Sequence, residues 1–154
     1  MTRHDDQVGR IAALVKERSL SVACAESLTA GGMASALARG ENAASWFRGA
    51  VVAYSSEVKF EVLGVEVGPV VTAPCARQMA VGVAQQLRAD VSVATTGVGG
   101  PDQEEGEPAG TVYIATYIEG QISVARHQFY GGPSTVIEKA IGVALTQLES
   151  ALTG

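Results

Sequence analysis

Few groups of the kind that bind metals, nucleic acid or membranes are present in this 154-residue chain. There are two cysteines, Cys24 and Cys75, and two histidines, His4 and His127. No combination of these with carboxylates has metal-ligand spacing. Both cysteines sit inside apolar patterns, which suits buried thiols in a reducing cytoplasm and leaves a Cys24–Cys75 bridge open. Lysine occurs only at positions 16, 59 and 139, and the net charge is −5. A nucleic-acid surface needs a basic face, so none is expected. No apolar run approaches the ~20 residues of a membrane span, and Met1–Asp6 has no apolar signal-peptide core. Aromatics are only 5% of the chain.

What is abundant is small and apolar. Hydrophobic residues make up 47% and charged residues 18%, with 18 glycines. That is the composition of one folded domain, expected to span residues 1–154. Asp5 and Asp6 open a helix running past Ile11 and Val15. Residues 20–25 read as a strand, 29–39 as a helix capped by Thr29, and 49–54 as a strand buried on both faces. Ser55 caps a short helix that Gly64 ends, and Thr72 caps a long one ending near Arg88. Residues 91–95 are another buried strand. Residues 111–118 and 121–129 flank the Glu119-Gly120 turn as a hairpin. Ser134 caps a last helix to about Leu152. Trp46 and Phe47 read as core anchors. This order predicts an α/β fold: a three-layer α/β/α sandwich around a mixed, mostly parallel five-stranded sheet with a C-terminal β-hairpin.

In open α/β sheets, sites form beyond the carboxyl ends of the strands. Three such ends here carry reactive or polar residues: Glu26-Ser27, Tyr54-Ser55 with Lys59 one turn on, and Thr95-Thr96-Gly97. If the three strands are parallel neighbours, Ser27, Tyr54, Lys59 and Thr96 meet in one cleft. A serine and a neutral lysine suffice for amide hydrolysis, provided burial lowers the amine from its usual pKa of about 10.4. The alternative for Ser27 is a plain strand-to-helix turn. Gly97-Val98-Gly99-Gly100 can wrap an anion, yet it lacks the Lys and Ser/Thr of a P-loop and reads equally as a simple loop. Glu104, Glu105 and Glu107 read as a solvated acidic loop. His127 reads as a strand residue rather than a base.

Four blocks, in order, resemble the CinA C-terminal domain family, the nicotinamide-nucleotide amidases. They are Ala25-Glu26-Ser27-Leu28-Thr29-Ala30-Gly31, Trp46-Phe47-Arg48-Gly49, Tyr54–Lys59 with Leu63-Gly64-Val65, and Thr96–Pro101 leading to Pro108–Tyr113. The resemblance runs from about residue 7 to 152. It implies hydrolysis of the carboxamide of nicotinamide mononucleotide to nicotinate mononucleotide and ammonia, in pyridine-nucleotide salvage. Ser27 would be the nucleophile and Lys59 the general base. Tyr54, Thr96, Gly97, Thr29 and Gly31 would bind substrate, with amides at the start of the 29–39 helix holding the oxyanion. No metal or organic cofactor is implied. The partners implied are a pyridine nucleotide and a second copy of the chain, in the cytoplasm.

The chain also departs from the family pattern. After the last strand the family reads Phe-x-Gly-Asp-Arg, with another basic residue four positions on. Here it is Phe129-Tyr130-Gly131-Gly132-Pro133, then Ile137. Losing a charge-assisted contact costs about 1.5–3 kcal/mol of binding. Arg48, Arg77 and Arg126 are the candidate replacements. Two other expectations stay open: a catalytically weak nucleotide-binding module, and an amidase for a different amide.

Overall fold

The computed structural model describes residues 4–154. Its elements follow in chain order as α1 (Asp5–Arg18), β1 (Val22–Glu26), α2 (Gly32–Ala38), α3 (Ala43–Trp46), β2 (Phe47–Val52), α4 (Ser56–Leu63), α5 (Ala73–Leu87), β3 (Val91–Gly97), β4 (Thr111–Ile118), β5 (Gln121–Gln128) and α6 (Pro133–Thr153). The five strands form one sheet in the order β2-β1-β3-β4-β5. β1 lies parallel to both β2 and β3, whereas β4 runs antiparallel to β3 and β5. Four of the five strands therefore point the same way, and the hairpin supplies the reversed one.

Alternation along each strand separates two cores. Val22, Cys24, Val91, Val93, Val112 and Ile114 face α1, α2 and α6. Ala23, Ala25, Ala94 and Ala115 face α4 and α5. Branched side chains thus fill one layer, while alanines let α5 lie close on the other. The Ser92 hydroxyl joins the second side by donating to the Ala80 carbonyl of α5 at 2.6 Å. Cys24 and Cys75 belong to opposite layers and are free thiols, so no bridge joins them. At the α4–α5 crossing a Cβ on Gly82 would sit 2.1 Å from the Leu63 carbonyl oxygen. Glycine is what lets those two helices touch.

Several boundaries differ from the sequence reading, each for a local reason. The helix after Ser27 starts at Gly32, because Ala30 and Gly31 both have positive φ, +49° and +97°. A left-handed pair is a turn, not a first helical turn. β2 is an edge strand and half-buried, not covered on both faces. The last helix begins with Pro133 as its first residue, a position where the missing N–H costs nothing, so Gly132 rather than Ser134 precedes it. The Ser55, Gly64 and Thr72 boundaries match the residues that set them.

Candidate active site

β1, β2 and β3 deliver their carboxyl ends to one edge of the sheet. Glu26 pairs with Val52, and Ala25 with Ala94, so Ser27 emerges beside Ala53 on one side and Thr95-Thr96 on the other. The backbone then links the first two ends: the Ala53 N–H donates to the Glu26 carbonyl at 2.7 Å. The Ala53 carbonyl in turn accepts from Lys59 Nζ at 2.9 Å. One residue thereby ties the lysine to the strand end that carries the serine. α4 sets the height of Lys59, because Ser55 caps the helix by accepting from the Val58 N–H at 3.3 Å.

The resulting cleft, about 340 Å³, is lined by Ser27, Tyr54, Ser55, Ser56, Lys59 and Thr96-Gly97, with Val70-Val71 and Glu104-Glu105 on its far wall. Ser27 is 7% exposed and Lys59 2%, whereas Tyr54 is 70% exposed at the rim. Thr96 is buried, and its hydroxyl donates to the Val70 carbonyl at 2.8 Å. Among the described residues no hydrogen bond joins Ser27 to Lys59; the amine is bonded to Ala53 instead. Burial pulls the Lys59 pKa below its ordinary value, against the opposing pull of Cys75, Glu104 and Glu105. Cys75 is itself pushed up to about 11, chiefly by burial. A buried hydroxyl beside an amine biased toward its neutral form is what serine-based acyl transfer uses.

Not every expected residue lines this cleft. Thr29 and Gly31 stand outside its lining. Thr29 is buried, its hydroxyl 3.0 Å from that of Thr95, where it braces β1 against β3. The amides at the start of α2 are not available to an oxyanion. Glu26, wholly buried, takes the Met33 and Ala34 N–H groups, each at 2.9 Å. Sequence reasoning assigns Glu26 no role, because its partners are backbone amides seven and eight residues on, which no side-chain pattern announces.

The acidic loop is not simply solvated. Glu104 and Glu107 bridge each other across a two-residue turn in which Glu105 and Gly106 both have positive φ. The Glu105 carboxylate reaches back to the 65–71 segment and accepts from the Val70 N–H at 2.9 Å and the Val71 N–H at 2.8 Å. Glu107 pairs with Arg126 at 3.3 Å. None of the three candidate arginines lines the cleft. Arg48 donates to the Leu87 carbonyl near the opposite sheet edge, and Arg77 is exposed on α5. His127 is a structural residue, stacked on Phe129 and bonded to Gln147.

A larger hollow of about 620 Å³ lies at the amino ends of the strands, between α1 and α3, with buried Trp46 in its wall. Lys16 and three serines, Ser19, Ser21 and Ser45, also stand in its lining. The lysine is exposed, Ser21 donates to Asp90 and Ser45 to the Asn42 carbonyl, so the hollow lacks the buried serine and buried amine of the smaller cleft. Among the described residues no three metal-ligating side chains converge, and no helix is long and apolar enough to cross a membrane.

An open α/β sheet with a serine just beyond the end of β1 and a buried lysine on the helix that follows the adjoining strand defines the class. The CinA C-terminal domain profile matches residues 5–152, and the chain belongs to that family. It is 38% identical over 135 residues to protein YdeJ of Escherichia coli K12, covering 84% of this chain and 78% of that protein. A CinA-like protein of Mycolicibacterium vanbaalenii is 38% identical over 157 residues, covering 97% of this chain and 36% of that one. A putative competence-damage inducible protein of Listeria welshimeri is 40% identical over 126 residues, covering 79% of this chain and 30% of its own length. The chain thus spans about a third of these two longer relatives. The crystal structure of a CinA superfamily protein from Klebsiella pneumoniae superposes with a TM-score of 0.94 at 32% identity, covering 99% of both chains.

Proposed function

We propose that this chain is an amidohydrolase that cleaves the carboxamide of nicotinamide mononucleotide, giving nicotinate mononucleotide and ammonia. The supporting observation is that Ser27 and Lys59 line one cleft, joined through Ala53. Ser27 Oγ attacks the amide carbon as Lys59 Nζ, uncharged, takes its proton. Lys59 then hands that proton to the departing ammonia, and water opens the acyl-enzyme by the reverse transfer. Of the turn's amides, those of Ala30 and Gly32 close it on the Ser27 and Thr29 carbonyls. With Met33 and Ala34 held by Glu26, the N–H groups ahead of Ala30 and that of Gly31 are the candidate oxyanion donors. Tyr54 at the rim and Thr96 on the floor orient the substrate. The protein works in the cytoplasm as a homodimer, without cofactor.

Ammonia release from nicotinamide mononucleotide tests this. Lys59→Ala lowers kcat about 10²–10⁴-fold, the usual worth of a general base, and Ser27→Ala abolishes turnover. Full activity in either variant removes the mechanism. The Lys59–Ala53 bond favours one second reading, a nucleotide-binding module with little catalysis. Calorimetric binding of the nucleotide without any turnover would select that reading.

A further inference from the structure

We propose that Glu105 is the residue that sets this cleft's preference between phosphorylated and unphosphorylated amides, because its carboxylate occupies the backbone donors on which a substrate phosphate would sit. The inference rests on the hydrolase reading only for its consequence in turnover. Its physical basis is separate.

The argument begins with the donors. Val70 and Val71 present adjacent N–H groups, and the Glu105 carboxylate takes them with both oxygens at 2.8–3.1 Å. Charge-assisted bonds of this kind are about twice as strong as neutral ones. An adjacent N–H pair that grips a carboxylate also fits two oxygens of a phosphate monoester, which carries more charge. The cleft offers such an anion little else. Its one cation is Lys59, whose chemistry requires it neutral, and its other charged groups are Glu104 and Glu105.

The arm that holds the place is free to leave. Glu105 is exposed and sits in a tight turn closed by Glu104 and Glu107, independently of where its carboxylate points. Rotation about its side-chain bonds would carry the charge into water while the turn and the Val70-Val71 backbone stay in place. A phosphorylated substrate must therefore displace an internal anion before it binds, and an unphosphorylated one need not. Glu105 acts as a competitor tethered to the site.

Inorganic phosphate, titrated calorimetrically into the full chain in phosphate-free buffer, tests this directly. Phosphate should bind Glu105→Ala at least about tenfold more tightly than the unaltered chain, the scale of a charge-assisted contact regained. Glu105→Gln keeps one acceptor but loses the charge, so it should fall between. In turnover, the KM of nicotinamide mononucleotide relative to its unphosphorylated riboside should drop in the same order. If Glu105→Ala does not fold, Glu105→Gln against the unaltered chain decides. Equal or weaker phosphate affinity in the variants overturns the proposal, as does an equal KM change for both amides. If neither amide is hydrolysed by any of the three proteins, the hydrolase reading fails, and the phosphate titration still decides this one.

Discussion

In the proposed mechanism Lys59 carries the chemical burden, and its surroundings work in opposite senses on its proton. Burial disfavours the ammonium and is the dominant effect; Glu104 and Glu105 favour it. Only the uncharged amine can accept the serine proton, so the rate should rise with pH as Lys59 deprotonates. The rise is centred below the ordinary lysine value of 10.5 because the pKa is lowered. Removing a negative charge beside the amine destabilises the ammonium further. Glu104→Gln should therefore move the acid limb of the kcat profile to lower pH, whereas a shift to higher pH would mean that another group controls the rate. The profile of kcat against pH for the two proteins is the measurement.

At the scale of elements, the turn that presents Ser27 is held by the residue before it. Glu26 ends β1 and, wholly buried, closes the amino end of α2 through the Met33 and Ala34 amides. The strand, the turn and the helix are thus one unit, and the serine's position depends on it. Glu26→Ala leaves both donors without a partner in a dry site. That should cost about 2–4 kcal/mol in chemical denaturation, one to two for each stranded amide. Glu26→Gln keeps an acceptor and should cost less than half of that. Equal losses in the two variants would show that side-chain volume, not amide satisfaction, is what Glu26 supplies. This residue also marks where sequence reading runs out. Ser55, Gly64 and Thr72 are legible because a cap acts within three or four residues of itself. The convergence of Ser27, Lys59 and Thr96 is legible because parallel strands share a carboxyl edge. Glu26 and Glu105 act across longer separations: seven and eight residues for one, 34 and 35 for the other. Their partners are backbone amides, which every residue but proline carries, so no pattern of side chains announces them. The exposure of β2 was equally hidden, since a Val-Ala run is the same in a central strand and at an edge; only the strand order separates the two.

For the whole molecule, the charge balance has a kinetic consequence. The chain carries a net −5, and with Lys59 neutral the charged groups lining the cleft are two carboxylates, Glu104 and Glu105. A low-dielectric cleft focuses such a field outward, slowing the arrival of like charge and drawing in opposite charge. Nicotinamide mononucleotide combines a pyridinium with a phosphate dianion and arrives with net negative charge; the unphosphorylated riboside arrives as a cation. Between about 0.01 M and 0.1 M salt the screening length falls from about 30 Å to 10 Å, which removes most of the long-range field. Over that range kcat/KM should rise for the mononucleotide and fall for the riboside, each by roughly twofold or more. The two slopes have opposite signs because the same field acts on opposite charges, so a general effect of salt on stability or on Lys59 cannot imitate the pattern. Parallel slopes would mean that no net field at the cleft steers the arriving substrate, and a steeper mononucleotide slope in the unaltered chain than in Glu104→Gln would locate part of the field on that carboxylate.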